Sequence, residues 1–127
     1  MEQARSIIAF LATTDSARAL TFYRDVLGLT FVADEDFALV FDAAGIMLRI
    51  QKTRAHTPAP HTALGFDVPS IVQEMRALSE RGVRFERYAG MPQDELGIWQ
   101  PPGTQTRIAW FKDPDGNLLS LTEFAAP

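Results

Sequence analysis

Apolar and polar positions follow one order twice along this chain: a strand, an amphipathic helix, then short strands joined by tight turns. Residues 5–13 are almost all apolar or small, which predicts a strand covered on both faces. Asp15 or Ser16 can cap the helix that follows. Ala19, Phe22, Tyr23, Val26 and Leu27 recur at helical spacing, and Gly28 stands where a left-handed C-terminal residue is wanted. Residues 29–33 and 37–41 read as strands, and Asp42-Ala43-Ala44-Gly45 makes a tight turn into a strand at 46–51. Residues 53–61, with two prolines and two histidines, suit a surface linker. The order then restarts. In 62–68, Leu64, Phe66 and Val68 alternate with small or polar residues. Ile71, Met75 and Leu78 mark a second helix ended by Gly82, and 83–88 reads as a strand. Residues 105–112 and 118–124 form a closing hairpin around Asp113-Pro114-Asp115-Gly116-Asn117.

The two halves also match in detail. Thr13-Thr14-Asp15 and Leu27-Gly28-Leu29-Thr30-Phe31 are echoed 54 or 55 residues later by Val68-Pro69-Ser70 and Arg81-Gly82-Val83-Arg84-Phe85. Ala44-Gly45-Ile46-Met47-Leu48-Arg49-Ile50 likewise resembles Asp115-Gly116-Asn117-Leu118-Leu119-Ser120-Leu121. A repeat of this kind marks a unit that cannot bury its apolar face alone. The expected organisation is one α+β domain, 1–127, made of module one at 1–55 and module two at 60–127. Residues 89–104 form a long irregular segment with Trp99 inside it; a lid, a binding edge and a hydrophobic plug are all compatible with that composition.

Composition narrows the function classes. The 127 residues contain no cysteine, which excludes disulfides, thiolate metal sites and a cysteine nucleophile, and fits a reducing cytoplasm. Sixteen acids against twelve bases give a formal charge of −4, which disfavours nucleic acid or an anionic membrane as partner. Neither a secretory leader nor an apolar run long enough to span a bilayer is expected.

Phe22-Tyr23 followed by Leu27-Gly28-Leu29, and the closing Phe111-Lys112-Asp113-Pro114-Asp115-Gly116-Asn117, resemble the vicinal oxygen chelate superfamily of glyoxalase I, extradiol dioxygenases and bleomycin resistance proteins. The resemblance implies two βαβββ modules forming a curved eight-stranded sheet around a cup-shaped cavity that holds a small-molecule ligand, and a homodimer. Metal-dependent members take their ligands from the first and last strands of each module. Those positions fall here on Ile8, Ala63, Arg49 and Ser120, none of them His, Glu or Gln. Imidazole or carboxylate donors are needed at such a site, and an arginine repels the ion. No metal and no cofactor are therefore expected. His61, two residues before Ala63, is a displaced ligand or a general base on one reading and a solvated linker histidine on the other.

The candidate ligand-binding residues are Phe10, Arg49, His61, Tyr88, Trp99, Trp110 and Ser120, with Met91 as a further lining side chain. Arg49 can bind a ligand carboxylate through its planar fork or pair with a nearby acid such as Asp67. The aromatic residues can stack a flat ligand or fill core. Asp34-Glu35-Asp36 is expected to solvate a hairpin turn, and Asp113 and Asp115 to shape the closing turn. The leading expectation is a metal-independent binder of a small organic molecule, in the manner of bleomycin resistance proteins. A lyase, isomerase or dioxygenase-type enzyme with a rearranged site is the alternative, and an interaction module with a plugged cavity is a third.

Overall fold

A computed structural model describes residues 1–125, and the chain divides into two compact units, the first Met1–Pro58 and the second beginning at Ala59. The first unit contains β1 (Ile8–Thr13), α1 (Ser16–Thr21), β2 (Thr30–Asp34), β3 (Ala38–Ala43) and β4 (Ile46–Lys52). Its sheet runs β1-β4-β3-β2, with β1 parallel to β4 and the other pairs antiparallel. The second unit contains β5 (Leu64–Asp67), α2 (Ile71–Glu80), β6 (Arg107–Lys112) and β7 (Leu118–Glu123). Its sheet runs β5-β7-β6, again with a parallel outer pair and an antiparallel hairpin. Thus β5, β7 and β6 take the places of β1, β4 and β3, and the fold is α+β, a βαβββ plan used twice.

Both helices begin on the expected caps. The Asp15 carboxylate accepts the Arg18 N–H at 3.1 Å, and the Ser70 hydroxyl accepts the Gln73 N–H at 3.3 Å. The first helix does not continue as a regular α-helix to Leu27. Phe22–Val26 is a π-helical turn, closed by Leu27 N–H to the Phe22 carbonyl at 2.9 Å. The wider turn sets Tyr23 fully into the core, 5.9 Å from the ring of Phe41. Tyr23, Leu39, Phe41, Leu48 and Ile50 fill the helix-covered side of the first sheet, and Ile71, Phe111 and Leu119 that of the second.

Residues 83–88 are not a regular strand, so seven strands rather than eight are formed among the described residues. The segment lies beside β6 through a bridge between Phe85 and Phe111 and through Glu86 N–H to the Trp110 carbonyl at 2.8 Å. Gln93 takes the next ladder groups: its side chain accepts from Tyr88 N–H at 2.8 Å and donates to the Glu86 carbonyl at 3.0 Å. With those main-chain groups satisfied from the loop, a continuous ladder is not needed. The coverage expected for both faces of the first strand is corrected as well. Leu11 and Thr13 are buried, whereas Ile8 and Phe10 are 48% and 52% exposed on the opposite face. No helix among the described residues is long and apolar enough to cross a membrane.

Candidate functional site

Strand register arranges the candidate residues in two equivalent rows, one per module. In the first, Phe10 on β1 is level with Arg49 on β4, and Arg49 with Val40 on β3. In the second, Gly65 on β5 is level with Ser120 on β7, and Ser120 with Trp110 on β6. Leu48 and Ile50 flank Arg49, as Leu119 and Leu121 flank Ser120, and all four are buried. Alternation along a strand therefore turns both rows to the sheet face opposite the helix.

The second module gathers most of the candidates. Trp110 contacts Tyr88 edge-on at 5.8 Å between ring centroids and Trp99 at 6.0 Å with a 31° tilt. Its indole N–H donates to the Thr62 hydroxyl at 3.0 Å, so the ring has one orientation, with its polar edge satisfied. Trp99 and Trp110 are half-buried and Tyr88 is 37% exposed, leaving an aromatic surface open to a ligand. Burial raises the pKa of the Tyr88 phenol, and the Glu86 carboxylate adds to the shift, so the hydroxyl remains a donor at neutral pH. Gly65 keeps the centre of the row low: a Cβ there would lie 2.9 Å from the Ser120 hydroxyl, which is itself buried.

The loop bearing Trp99 is fastened as an edge. Trp99 and Ile108 exchange both main-chain hydrogen bonds, at 2.8 and 2.9 Å. The Asp94 carboxylate accepts from Leu96 and Ile98 N–H, Arg87 donates to the carbonyls of Asp94 and Glu95, and Ile98 is buried. Gly90, Gly97 and Gly103 have positive φ and serve as fixed turn residues in this arrangement. These ties fasten the loop to β6 at Trp99.

In the first module, Arg49 is paired, and its acid is Glu35 rather than Asp67: Nη2 donates to Oε1 at 2.7 Å. Lys52 pairs with Asp34 at the same hairpin, so two of the three acids expected only to solvate a turn anchor β2 to β4. Beside this row lies a shallow depression of about 260 Å³ lined by Val32, Val40, Phe41, Asp42, Gly45 and Met47. Sequence reading missed it, because Val32 and Met47 look like ordinary strand residues; their exposures of 59% and 43% identify the open face. Thr62 and Glu35, the partners of Trp110 and Arg49, were missed for the same lack of a local signal.

His61 is exposed and precedes β5. Among the described residues no three His, Cys, Asp or Glu side chains are grouped to hold a metal ion. Ile8, Ala63, Arg49 and Ser120 do not fit the divalent ion that the fold can carry. Asp113 shapes its turn as expected, accepting from Asp115 N–H, Asn117 N–H and the Asn117 side-chain amide.

A βαβββ plan used twice, lacking one regular strand in the second module and carrying one row of candidate residues per module, defines an α+β protein of two repeated modules. The chain belongs to the Glyoxalase/Bleomycin resistance protein/Dioxygenase superfamily, whose family model matches residues 6–121. Fosfomycin resistance protein FosX from Listeria monocytogenes is similar in structure, with a TM-score of 0.74 at 14% identity over 96% of this chain and 94% of that one. TnmS3, an antibiotic binding protein from Streptomyces sp. CB03234, aligns with a TM-score of 0.72 at 21% identity over 98% and 99% of the two chains. A superfamily member from Sphaerobacter thermophilus aligns with a TM-score of 0.70 at 24% identity over 97% and 99%. At these identities the likeness is one of fold. No curated protein sequence matches the chain.

Proposed function

We propose that the protein binds a small planar organic molecule without a metal ion, using the aromatic face of the second module. The observation that carries this reading is the Tyr88–Trp110–Trp99 cluster, held by the Thr62 hydrogen bond and left partly exposed. Aromatic surface left partly open beside the buried hydroxyl of Ser120 is what a flat ligand with one polar edge recognises. Membership of a family that includes bleomycin resistance proteins, and structural likeness to an antibiotic binding protein, support the same class of activity. Tryptophan fluorescence titration with planar aromatic antibiotics and metabolites tests it. Quenching that saturates and is reduced in Trp99→Phe is expected; a panel without any saturating ligand contradicts the proposal.

Metal independence has its own test. The purified protein is expected to contain no stoichiometric transition metal, and nickel, zinc, manganese and iron should leave its melting temperature unchanged, because the four family positions offer no suitable donors. Elemental analysis giving a metal-to-chain ratio near one, lost with stability on chelation, contradicts this. The functional form is proposed to be a homodimer, supported by the open outer strands β1 and β5 and by the apolar Ile8 and Phe10 on an uncovered face. Light scattering is expected to give twice the chain mass at tens of micromolar, a concentration on the order of which a standard-size interface holds; a monomer there removes the proposal.

A further inference from the structure

We propose that the first module contains an anion subsite, in which Glu35 occupies on Arg49 the place of a ligand carboxylate. The proposal rests on the reading that the chain binds a small organic molecule, and it specifies an apolar monocarboxylate as a ligand class. Arg49 has five N–H donors in a planar fork, yet among the described residues its guanidinium makes one hydrogen bond, Nη2 to Glu35 Oε1 at 2.7 Å. The remaining donors are available, and the side chain is 27% exposed against 50% for Glu35. Exposed ion pairs add little to stability. A ligand carboxylate that forms two parallel bonds with the guanidinium can therefore displace a single-contact partner. Releasing Glu35 need not free the hairpin, since Asp34 remains on Lys52 and Glu35 N–H remains on the Ala38 carbonyl at 2.9 Å.

The neighbours of Arg49 define the rest of the ligand. Val40, level with Arg49 in the sheet, also lines the depression of about 260 Å³, together with Val32 and Met47. Phe10 stands level with Arg49 on the other side and is half exposed. An acid whose carboxylate meets Arg49 can thus lay one small apolar body over Val40. Asp42 is the one carboxylate lining the depression; it is two residues beyond Val40 on β3, and its Oδ1 accepts the Gly45 N–H at 2.8 Å. Its charge favours a ligand with a single anionic end, directed at Arg49.

Isothermal titration of 2-naphthoate and of neutral 2-naphthamide into wild type, Glu35→Gln and Arg49→Met tests the subsite. Wild type is expected to prefer the acid to the amide. Removing the competing carboxylate in Glu35→Gln should tighten naphthoate by about threefold or more, the scale of an exposed ion pair, with naphthamide unchanged; Glu35→Ala should act the same way. Arg49→Met should abolish the preference. Equal affinity for acid and amide in wild type, or unchanged naphthoate affinity in both Glu35 variants, overturns the subsite. In those cases continued quenching of tryptophan by naphthamide leaves the aromatic site of the second module standing; loss of stability in the Glu35 variants without tighter acid binding assigns the pair a structural role instead.

Discussion

Asp113→Ala is expected to lower the free energy of unfolding by about 3 kcal/mol, because three N–H donors lose a charged acceptor at a buried turn. The carboxylate takes Asp115 N–H and Asn117 N–H at 2.9 Å each and the Asn117 side-chain amide at 2.8 Å. Asp113 is 5% exposed and Asn117 4%, so water cannot readily replace it. The turn also joins β6 to β7, the strands that carry Trp110 and Ser120, which makes it a support for the candidate site. Asp113→Asn keeps an acceptor but turns an amide N–H₂ toward that of Asn117, and an intermediate loss is expected. Urea unfolding midpoints at constant slope provide the measurement. A change below about 1 kcal/mol in Asp113→Ala, smaller than one buried hydrogen bond to a charged group, contradicts this account of the turn.

Trp110→Leu should weaken binding of a planar ligand by about 2 kcal/mol or more, roughly 30-fold, the size of an aromatic hot spot. Trp110 is the member that touches both other rings, and its N–H is the one fixed to Thr62. Leucine keeps apolar volume and removes the flat face, so the cluster loses its platform while the half-buried position stays filled. Trp99→Leu should have a smaller effect, because Trp99 contacts only the Trp110 edge of the cluster among the ring pairs described. Competition titration of one confirmed ligand against both variants gives the comparison. An equal loss for the two, or a loss accompanied by unfolding of Trp110→Leu, would show that the cluster acts as core.

The duplicated plan was legible because apolar alternation, helix caps and Gly-centred turns are local signals repeated at one spacing. Counting from Gly45 and Gly116 also placed Arg49 and Ser120 correctly opposite the helix side, since side-chain direction in a strand depends only on parity. Pairing partners were not legible. Glu35 meets Arg49 because β2 and β3 shift register between Phe31 and Ala33, a bulge that no residue type announces. The same limit applies to residues 83–88, whose alternation reads as a strand although Gln93, five residues past Tyr88, takes up its hydrogen-bonding groups. Trp99 was recognisable as an anomaly within a proline-rich loop, but its pairing with Ile108 is a non-local contact. The exposure of Phe10 was hidden for a related reason: an apolar strand reads as buried on both faces, whereas only the helix side of its own unit is covered.

Ligand binding through the aromatic cluster without a metal is the central property proposed for the protein. The most direct measurement is the dissociation constant of one planar aromatic ligand, followed by tryptophan fluorescence, for protein dialysed against chelator and for the same protein resupplied with nickel, zinc, manganese or iron. One constant across all samples is expected, with a loss of roughly 30-fold in Trp110→Leu. Binding that disappears on chelation and returns with a single metal, or that is indifferent to Trp110, would contradict it.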